Sequence, residues 1–381
     1  MKLSTTTIVL ALLIDRFRSS QAHAGVEATL QYHLASFSDN SSDLPFINEF
    51  TGFVTYMSAK PLRCFGVDAE EEFDVAILGA PFDTATTYRP GARFGPNGIR
   101  QGSRRINVAY FDPFMKMAVA DHINIVDCGD VPMVYVDNKA ALRQLEQAGR
   151  SIVSKEAKRI PEGVSLAKDG KFHKRILTLG GDHTITLPLL RSIAEVYGPV
   201  TIIHFDSHVD TWRPGRFDTG PRLPGEDIPV NHATYFWFAH KEGLLANDTN
   251  IHVGIRGAAL ETDLESDRKC GFSIIHADEI EDIGYAGVIQ AIKDRVGDNP
   301  VYISIDIDVI DPGMAPAPEI GGYTTREMKK ILKGLEGLKI VGADIVEVAP
   351  AYDTQDEITQ IAAANIGWMI LGLMAKTPLT V

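Results

Sequence analysis

The segment from Thr201 to Asp210 reads TIIHFDSHVD, a short run of mainly apolar residues that gives way to aspartates and a histidine. An almost continuous apolar run ending at Phe205 is typical of a strand that is buried on both faces of a parallel sheet. In such sheets ligands bind at the carboxyl ends of the strands. Because residues two apart in an extended chain face the same way, we expect Asp206, His208 and Asp210 to converge on one point.

Two further strand candidates end in the same kinds of residue. The run Arg175–Leu179 is followed by two glycines, which should let the backbone turn sharply at the strand end, and then by Asp182 and His183. The run Val301–Asp306 leads to Asp308, two residues beyond Asp306. The three strand ends therefore predict one site that receives two imidazoles, from His183 and His208, and four carboxylates, from Asp206, Asp210, Asp306 and Asp308.

Four aspartates in contact would repel one another and would be costly to bury without compensation. Two divalent cations supply a charge of +4 against −4, so the electrostatics predict a binuclear metal centre. Ligation rich in oxygen and free of thiolate favours Mn²⁺ or a similar ion over structural zinc.

The rest of the chain alternates short apolar runs with helical patterns, which indicates a parallel sheet covered by helices on both faces. The expected architecture is an α/β fold, a three-layer α/β/α sandwich with a mainly parallel eight-stranded sheet, forming one domain over residues 71–381. The strand candidates are Asp74–Gly79, Ile123–Asp127, Arg175–Leu179, Val200–Phe205, Ile251–Gly254, Phe272–Ile275, Val301–Asp306 and Ile340–Ile345. The helix candidates are Lys139–Lys158, Thr186–Tyr197, Tyr285–Val296, Thr325–Leu338 and Glu357–Met374.

The N-terminal part of the chain differs from the rest. Residues 1–24 combine Lys2, the apolar stretch Ile8–Ile14 and the sequence Ala-His-Ala at 22–24, which predicts a secretory signal peptide. Arginines 16 and 18 follow the apolar stretch, so a mitochondrial presequence is the alternative. Residues 25–70 are polar and irregular, and we expect them to form an N-terminal extension that packs late or poorly.

Composition limits the partners. The 37 Lys and Arg residues against 50 Asp and Glu residues give a formal net charge of −13, which disfavours binding to nucleic acid or anionic membranes.

The apolar run Ile366–Met374 is shorter than the ~20 residues that span a bilayer, so it predicts a buried final helix. Three cysteines, at 64, 128 and 270, are too few for a disulfide framework, and we expect three small buried side chains.

These motifs resemble the ureohydrolase family of arginases, agmatinases and guanidinobutyrases. The resemblance runs from about Asp74 to the C-terminus and rests on motifs in the family order: GGDH at 180–183, Asp-x-His-x-Asp at 206–210, SIDIDVIDP at 304–312, the loop PFD…RPGARFGP within 81–96, and DIVE at 344–347.

The resemblance implies roles for these residues. One Mn²⁺ would be held by His183, Asp206, Asp210 and Asp306, and a second by Asp206, His208, Asp306 and Asp308. His232 matches the family's proton-shuttling histidine, and Glu347 matches the acid that binds the substrate guanidinium. The family implies a small cationic guanidino substrate and a homo-oligomer, a trimer or hexamer. Thr211 and Trp212 after the motif favour agmatine, with 4-guanidinobutyrate as the alternative substrate.

One segment departs from the family pattern. After Asp311 and Pro312 the family has a segment of the type APGTGTPE, whereas this chain reads APAPE from Ala315 to Glu319, about three residues shorter. That loop lines the family's substrate pocket, so we expect the shortening to impair guanidinium binding while sparing every metal ligand. A catalytically weak, metal-binding relative with a regulatory or binding role is therefore the alternative of another class.

Overall fold

The structure is a computed structural model that describes residues 53–65, 72–216, 228–377 and 379–380. The predicted signal peptide and most of the N-terminal extension lie outside the described residues. A nine-stranded sheet with parallel pairing throughout forms the middle layer. Its strands are β1 (Lys60–Pro61), β2 (Val75–Gly79), β5 (Ile125–Asp130), β6 (Arg175–Leu179), β7 (Thr201–Phe205), β8 (Asn250–Ile255), β9 (Phe272–His276), β10 (Pro300–Asp306) and β11 (Lys339–Val346). Their order across the sheet is β1-β5-β2-β6-β11-β10-β7-β8-β9. The antiparallel pair β3 (Phe111–Asp112) and β4 (Met117–Ala118) is separate.

Alternate residues of each strand face two different hydrophobic layers. Along β2, for example, Val75 and Ile77 pack into one core cluster, whereas Ala76 and Leu78 pack into the other. The first cluster contains residues of α1 (Gly95–Gly102), α6 (Glu279–Val296), α7 (Thr325–Gly334) and α8 (Ile358–Ala375). The second contains residues of α2 (Asn138–Val153), α3 (Thr186–Tyr197) and α4 (Tyr235–Lys241). A further helix, α5, spans Glu261–Lys269. The three-layer sandwich is therefore confirmed, and all eight predicted strands are present.

The ninth strand overturns part of the expectation for residues 25–70. Strand β1 pairs with β5, Tyr56 is fully buried, and its hydroxyl donates to the Ala364 carbonyl oxygen at 2.6 Å. The backbone N–H of Tyr56 donates to Asp127 at 2.7 Å. The segment from Tyr56 to Cys64 thus packs against the domain through its buried side chains. Periodicity could not reveal this, because a two-residue strand carries no alternating pattern.

The three cysteines are buried as expected, but the sequence analysis missed that two of them are paired. Cys64 and Cys128 form a disulfide with their Cα atoms 5.4 Å apart, and Cys270 is free and buried. The pairing of β1 with β5 brings the two residues together. The Leu62 N–H, two residues before Cys64, donates to the carbonyl oxygen of Asp127, the residue before Cys128. The cysteine count gave no hint of this, because spatial neighbours 64 residues apart are set by strand order.

The last helix, α8, is long and apolar enough by composition to cross a membrane, but 67% of it is buried inside the protein. Met369 and Ile370 in this helix belong to the core cluster that also contains Tyr56. This agrees with the expectation of a buried final helix.

Candidate active site

Four neighbouring strand ends build the candidate site. Strands β6, β11, β10 and β7 are adjacent in the sheet, and their carboxyl ends lead to His183, Glu347, Asp306 and Asp206. Strands β11 and β10 lie between β6 and β7, so the order in which the chain forms neighbouring strands reverses there, although all of these strands are parallel. Crevices at such switch points are the usual ligand sites of open α/β sheets.

The predicted ligands converge, but through turns and not through continued strand. Strand β7 ends at Phe205, and the Asp206 Oδ1 atom accepts the His208 N–H at 2.6 Å. Asp306 Oδ1 accepts the Asp308 N–H at 2.8 Å in the same way. Asp210 has a left-handed φ of 52°. Side-chain oxygens that bond to the backbone two residues on are typical of Asx turns, and these turns replace the simple alternation expected from the sequence.

The two glycines before His183 are required because neighbouring backbone atoms lie too close for a Cβ atom, and not because the backbone has an unusual φ. A Cβ atom on Gly181 would lie 1.9 Å from the Phe82 carbonyl oxygen, and one on Gly180 would lie 2.9 Å from the Ile345 carbonyl oxygen. Neither glycine has a positive φ. The loop that begins after β2 therefore packs directly on the backbone that presents His183.

The first group of candidate metal ligands surrounds the His183 imidazole. Its Nδ1 atom lies 3.2 Å from Asp206 Oδ2, 3.1 Å from Asp210 Oδ2 and 3.5 Å from Asp306 Oδ2. Within the described part of the chain, His183 Nδ1 and Asp206 Oδ2 are buried and have no hydrogen-bond partner. Buried polar atoms without partners are costly, so these residues fit a cation at this point.

The other nitrogen of His183 is held in place by the neighbouring strands. Its Nε2 atom lies 2.8 Å from Ser304 Oγ, which donates to Asp344 Oδ1 at 2.7 Å. The Ser304 proton is thereby committed to the carboxylate, so His183 Nε2 carries a ring proton, and in the neutral imidazole Nδ1 keeps a lone pair. This is the arrangement that a metal-binding histidine needs. Ser304 and Asp344 lie on adjacent strands in register, a relation that the sequence does not reveal.

The second group surrounds the His208 imidazole. Its Nδ1 atom lies 3.3 Å from Asp206 Oδ1 and 3.2 Å from Asp308 Oδ2. Asp206 therefore contributes one oxygen to each group, and the two clusters that could hold a metal ion share it.

One member of the first cluster was absent from the sequence prediction. His204 is fully buried, and its Nε2 atom lies 3.0 Å from Asp206 Oδ2 and 3.2 Å from the Tyr235 hydroxyl. It stands two residues before Asp206, so the alternation of side chains along β7 could have predicted its position.

Burial and the charges of neighbouring carboxylates raise the pKa values of two aspartates in the site. Burial raises the pKa of Asp210 to about 6, and the nearby Asp206 charge adds to the rise. Burial also raises the pKa of Asp306 well above its ordinary value, with further contributions from Asp308 and Asp206. Positive charge at the centre of the cluster would reverse these shifts, as expected for a cation site.

His232 and Glu347 form a pair beside the cluster. The His232 Nδ1 atom lies 3.1 Å from Glu347 Oε1, which also accepts the His183 backbone N–H at 2.9 Å. On its other side, His232 Nε2 lies 2.9 Å from the Thr87 hydroxyl. Burial by itself lowers the pKa of His232, but the hydrogen bond and charge of Glu347 outweigh it and raise the pKa to about 9. The pair thus places a protonatable imidazole and a carboxylate next to the candidate metal ligands.

Together, the fold and the site define an α/β enzyme with a cluster of histidine and aspartate side chains at the carboxyl edge of its sheet that could hold metal ions. The sequence model of the Arginase family matches residues 73–372, and the chain belongs to that family.

Similar proteins agree with this assignment. A Schizosaccharomyces pombe protein that is provisionally named an agmatinase is 46% identical over 382 residues, which cover 98% of this chain and 96% of that protein. An agmatinase of Salmonella paratyphi B is 36% identical and covers 80% of this chain and 89% of its own length. The solved structure of proclavaminate amidino hydrolase from Streptomyces clavuligerus superposes with a TM-score of 0.72 at 32% identity, covering 87% of this chain and 99% of that one. The chain is therefore an amidinohydrolase, and its family acts on small guanidino compounds.

Proposed function

We propose that the protein hydrolyses agmatine to urea and putrescine with the help of two Mn²⁺ ions per chain. The observation that carries the proposal is that Asp206 contributes one oxygen to each of two converging ligand groups, beside the pair formed by His232 and Glu347. The agmatinase names of the relatives support agmatine as the substrate.

The distances support most of the ligands of the proposed ions, and the place of Asp306 at the second ion rests on the family resemblance alone. One ion would be held by His183, Asp206, Asp210 and Asp306, and the other by Asp206, His208, Asp306 and Asp308. When bound, such a pair supplies Lewis acidity and a nucleophile drawn from water near neutral pH. The oxygen-rich donor set favours Mn²⁺ over metals that prefer thiolate.

Two residues of the chain would handle the substrate itself. A guanidinium is a planar cation, and a carboxylate can orient it by charge-assisted hydrogen bonds. Glu347, which has a left-handed φ of 61° directly after β11, presents its carboxylate beside His183 for this purpose. Loss of urea from the substrate leaves an amine that needs a proton, and His232 is the imidazole in position to donate it. The Thr87 backbone N–H donates to His232 Nε2 at 3.1 Å and so helps to hold the imidazole in place.

Urea release separates the proposal from its alternatives. The Mn²⁺-loaded full chain would be assayed with agmatine, 4-guanidinobutyrate and arginine, and the highest kcat/KM is expected with agmatine. His208→Asn should lose about one equivalent of Mn²⁺ and most of the activity. A preference for 4-guanidinobutyrate would reassign the substrate, and no urea from any of the three in a protein that binds two Mn²⁺ would favour a regulatory or binding role.

The signal peptide at residues 1–24 and passage through the secretory pathway are also part of the proposal. The Cys64–Cys128 disulfide supports it, because disulfides persist mainly in oxidising compartments. Mass spectrometry of the protein from its native host should find Gly25 at the N-terminus and the disulfide intact. A mitochondrial location would refute this part of the proposal.

We also propose that the chain forms a homo-oligomer, a trimer or hexamer, and light scattering would test this.

A further inference from the structure

The shortened loop at Ala315–Glu319 is closed by contacts of its own. Asp311 side-chain oxygens accept the backbone N–H groups of Gly313 and Gly321 at 2.9 and 3.1 Å, which ties the two ends of the loop together. Arg256 Nη2 donates to the Glu319 carbonyl oxygen at 3.0 Å and to the Asp308 carbonyl oxygen at 2.5 Å. Arg256 therefore fixes Glu319 relative to the segment that carries Asp308.

The Glu319 side chain reaches a candidate metal ligand. Its Oε1 atom lies 3.2 Å from His208 Nε2. A carboxylate can only accept, so this contact requires a proton on Nε2. In a neutral imidazole the other nitrogen, Nδ1, then keeps the lone pair that a metal ion would need.

Without Glu319, the surroundings of His208 favour the opposite tautomer. Three acceptors lie near its Nδ1 atom: Asp206 Oδ1 at 3.3 Å, Asp308 Oδ2 at 3.2 Å and Ser207 Oγ at 3.1 Å. The Ser207 hydroxyl proton already goes to Asp308 at 2.7 Å, so the serine oxygen is left as an acceptor. All three groups would attract a proton to Nδ1, where it would block a metal ion. The carboxylate at Nε2 opposes them.

We propose that Glu319 is a positioning residue that holds His208 with its Nδ1 lone pair directed at the second metal ion. The inference rests on the proposed function, because it assumes that His208 binds metal there. It gives the shortened loop a role: the backbone is short, yet its last residue is anchored by Arg256 where its carboxylate meets the imidazole. Outer partners of this kind are worth ~10–100-fold in metal affinity.

Calorimetric titration of the metal-free full chain with Mn²⁺ alone tests the inference without any substrate. Glu319→Ala should weaken one of the two sites by ~10–100-fold and leave the other at its wild-type affinity. Glu319→Gln keeps an acceptor oxygen and should weaken that site less than Glu319→Ala does. Ile320→Ala, a neighbouring loop residue that is 84% exposed, is the matched control and should bind like the wild type.

Equal affinities for wild type and Glu319→Ala would overturn the inference, as would a Gln variant at least as weak as the Ala variant. Loss of both sites together with a lower Tm of the metal-free protein would also overturn it, since Glu319 would then support the loop and not His208. A wild type that binds fewer than two Mn²⁺ would refute the proposed binuclear function itself and the inference with it. If the wild type binds two Mn²⁺ and Glu319→Ala has the same affinities, only the inference about Glu319 is refuted.

Discussion

Gly257 lies against the Cδ2 and Nε2 edge of the His208 ring, and replacing it should disturb the candidate metal site. A Cβ atom added to Gly257 would lie 2.8 Å from His208 Cδ2 and 3.0 Å from the Ser207 carbonyl oxygen. Carbon atoms in favourable contact are about 3.5–4.0 Å apart. In Gly257→Ala the imidazole must therefore move away by about 0.7–1.2 Å.

A displacement of this size is large for a site that must hold an ion. A shift of about 1 Å in a reacting group costs ~10²-fold in rate, so we expect kcat/KM to fall by about that factor. Mn²⁺ affinity at the site of His208 should fall as well, while the site of His183 is spared. Calorimetric titration with Mn²⁺ and a urea assay on the same preparation would measure both effects.

A second glycine provides the control. In helix α8, a Cβ atom on Gly372 would lie 3.0 Å from Met115 Cε, the end of a flexible side chain that can move aside. Gly372→Ala should keep two normal Mn²⁺ sites. If Gly257→Ala also binds two Mn²⁺ with wild-type affinity and has wild-type kcat/KM, the added Cβ atom does not displace the His208 ring. The prediction would then be refuted.

Four further predictions concern the pair at the site, the disulfide and the short loop. His232→Ala should keep both Mn²⁺ ions while kcat falls by ~10² or more, as for a lost general acid; parallel loss of metal and activity would place this residue among the ligands instead. Glu347 raises the pKa of His232, and His232 can act as a general acid only when it is protonated, so kcat should fall as the pH rises through that pKa. Glu347→Gln should shift this fall in kcat to lower pH, and an unchanged pH profile in the Gln variant would contradict the pairing of the two residues. Cys64→Ser should lower the free energy of unfolding by ~2–4 kcal/mol in a denaturant titration while leaving kcat intact, and an unchanged midpoint would mean that the bond to Cys128 adds nothing. Replacing Ala317 with Gly-Thr-Gly-Thr should raise kcat/KM for agmatine if the short loop limits turnover, and equal values before and after the insertion would show that the loop is accommodated.

The parts of the fold that the sequence predicts well are those with strong, repeated signals. Strands β6 and β7 are continuous apolar runs, and polar clusters mark where they end. Three helices were not predicted because their signals are weaker. Helix α1 (Gly95–Gly102) contains three glycines and a proline, α4 (Tyr235–Lys241) has only seven residues, and α5 (Glu261–Lys269) is almost entirely polar. In α1, tertiary contacts must override a low intrinsic helix propensity.

The site divides in a similar way. Asp206 and His208 were predictable because close spacing along the chain brought them together. Glu319 was not, because it follows the second group by eleven residues and reaches His208 only through the anchor that Arg256 provides. Ser304 and Asp344 meet only through the register of β10 and β11. Contacts between distant segments carry no local sequence pattern.

The attachment of residues 53–65 to the domain restricts how the chain can be trimmed after synthesis. Asp127 receives the Tyr56 N–H and also forms a buried ion pair with Arg100 at 2.8 Å, so the N-terminal segment shares an anchoring residue with helix α1. Removal of a leader at residue 24 would leave this attachment whole. A protease that cut between Tyr56 and Cys64 would instead separate the Tyr56 anchor from the domain, whereas Cys64 would stay joined to β5 through its disulfide with Cys128. Shortening of the chain that reached Tyr56 would therefore cost the domain part of its core.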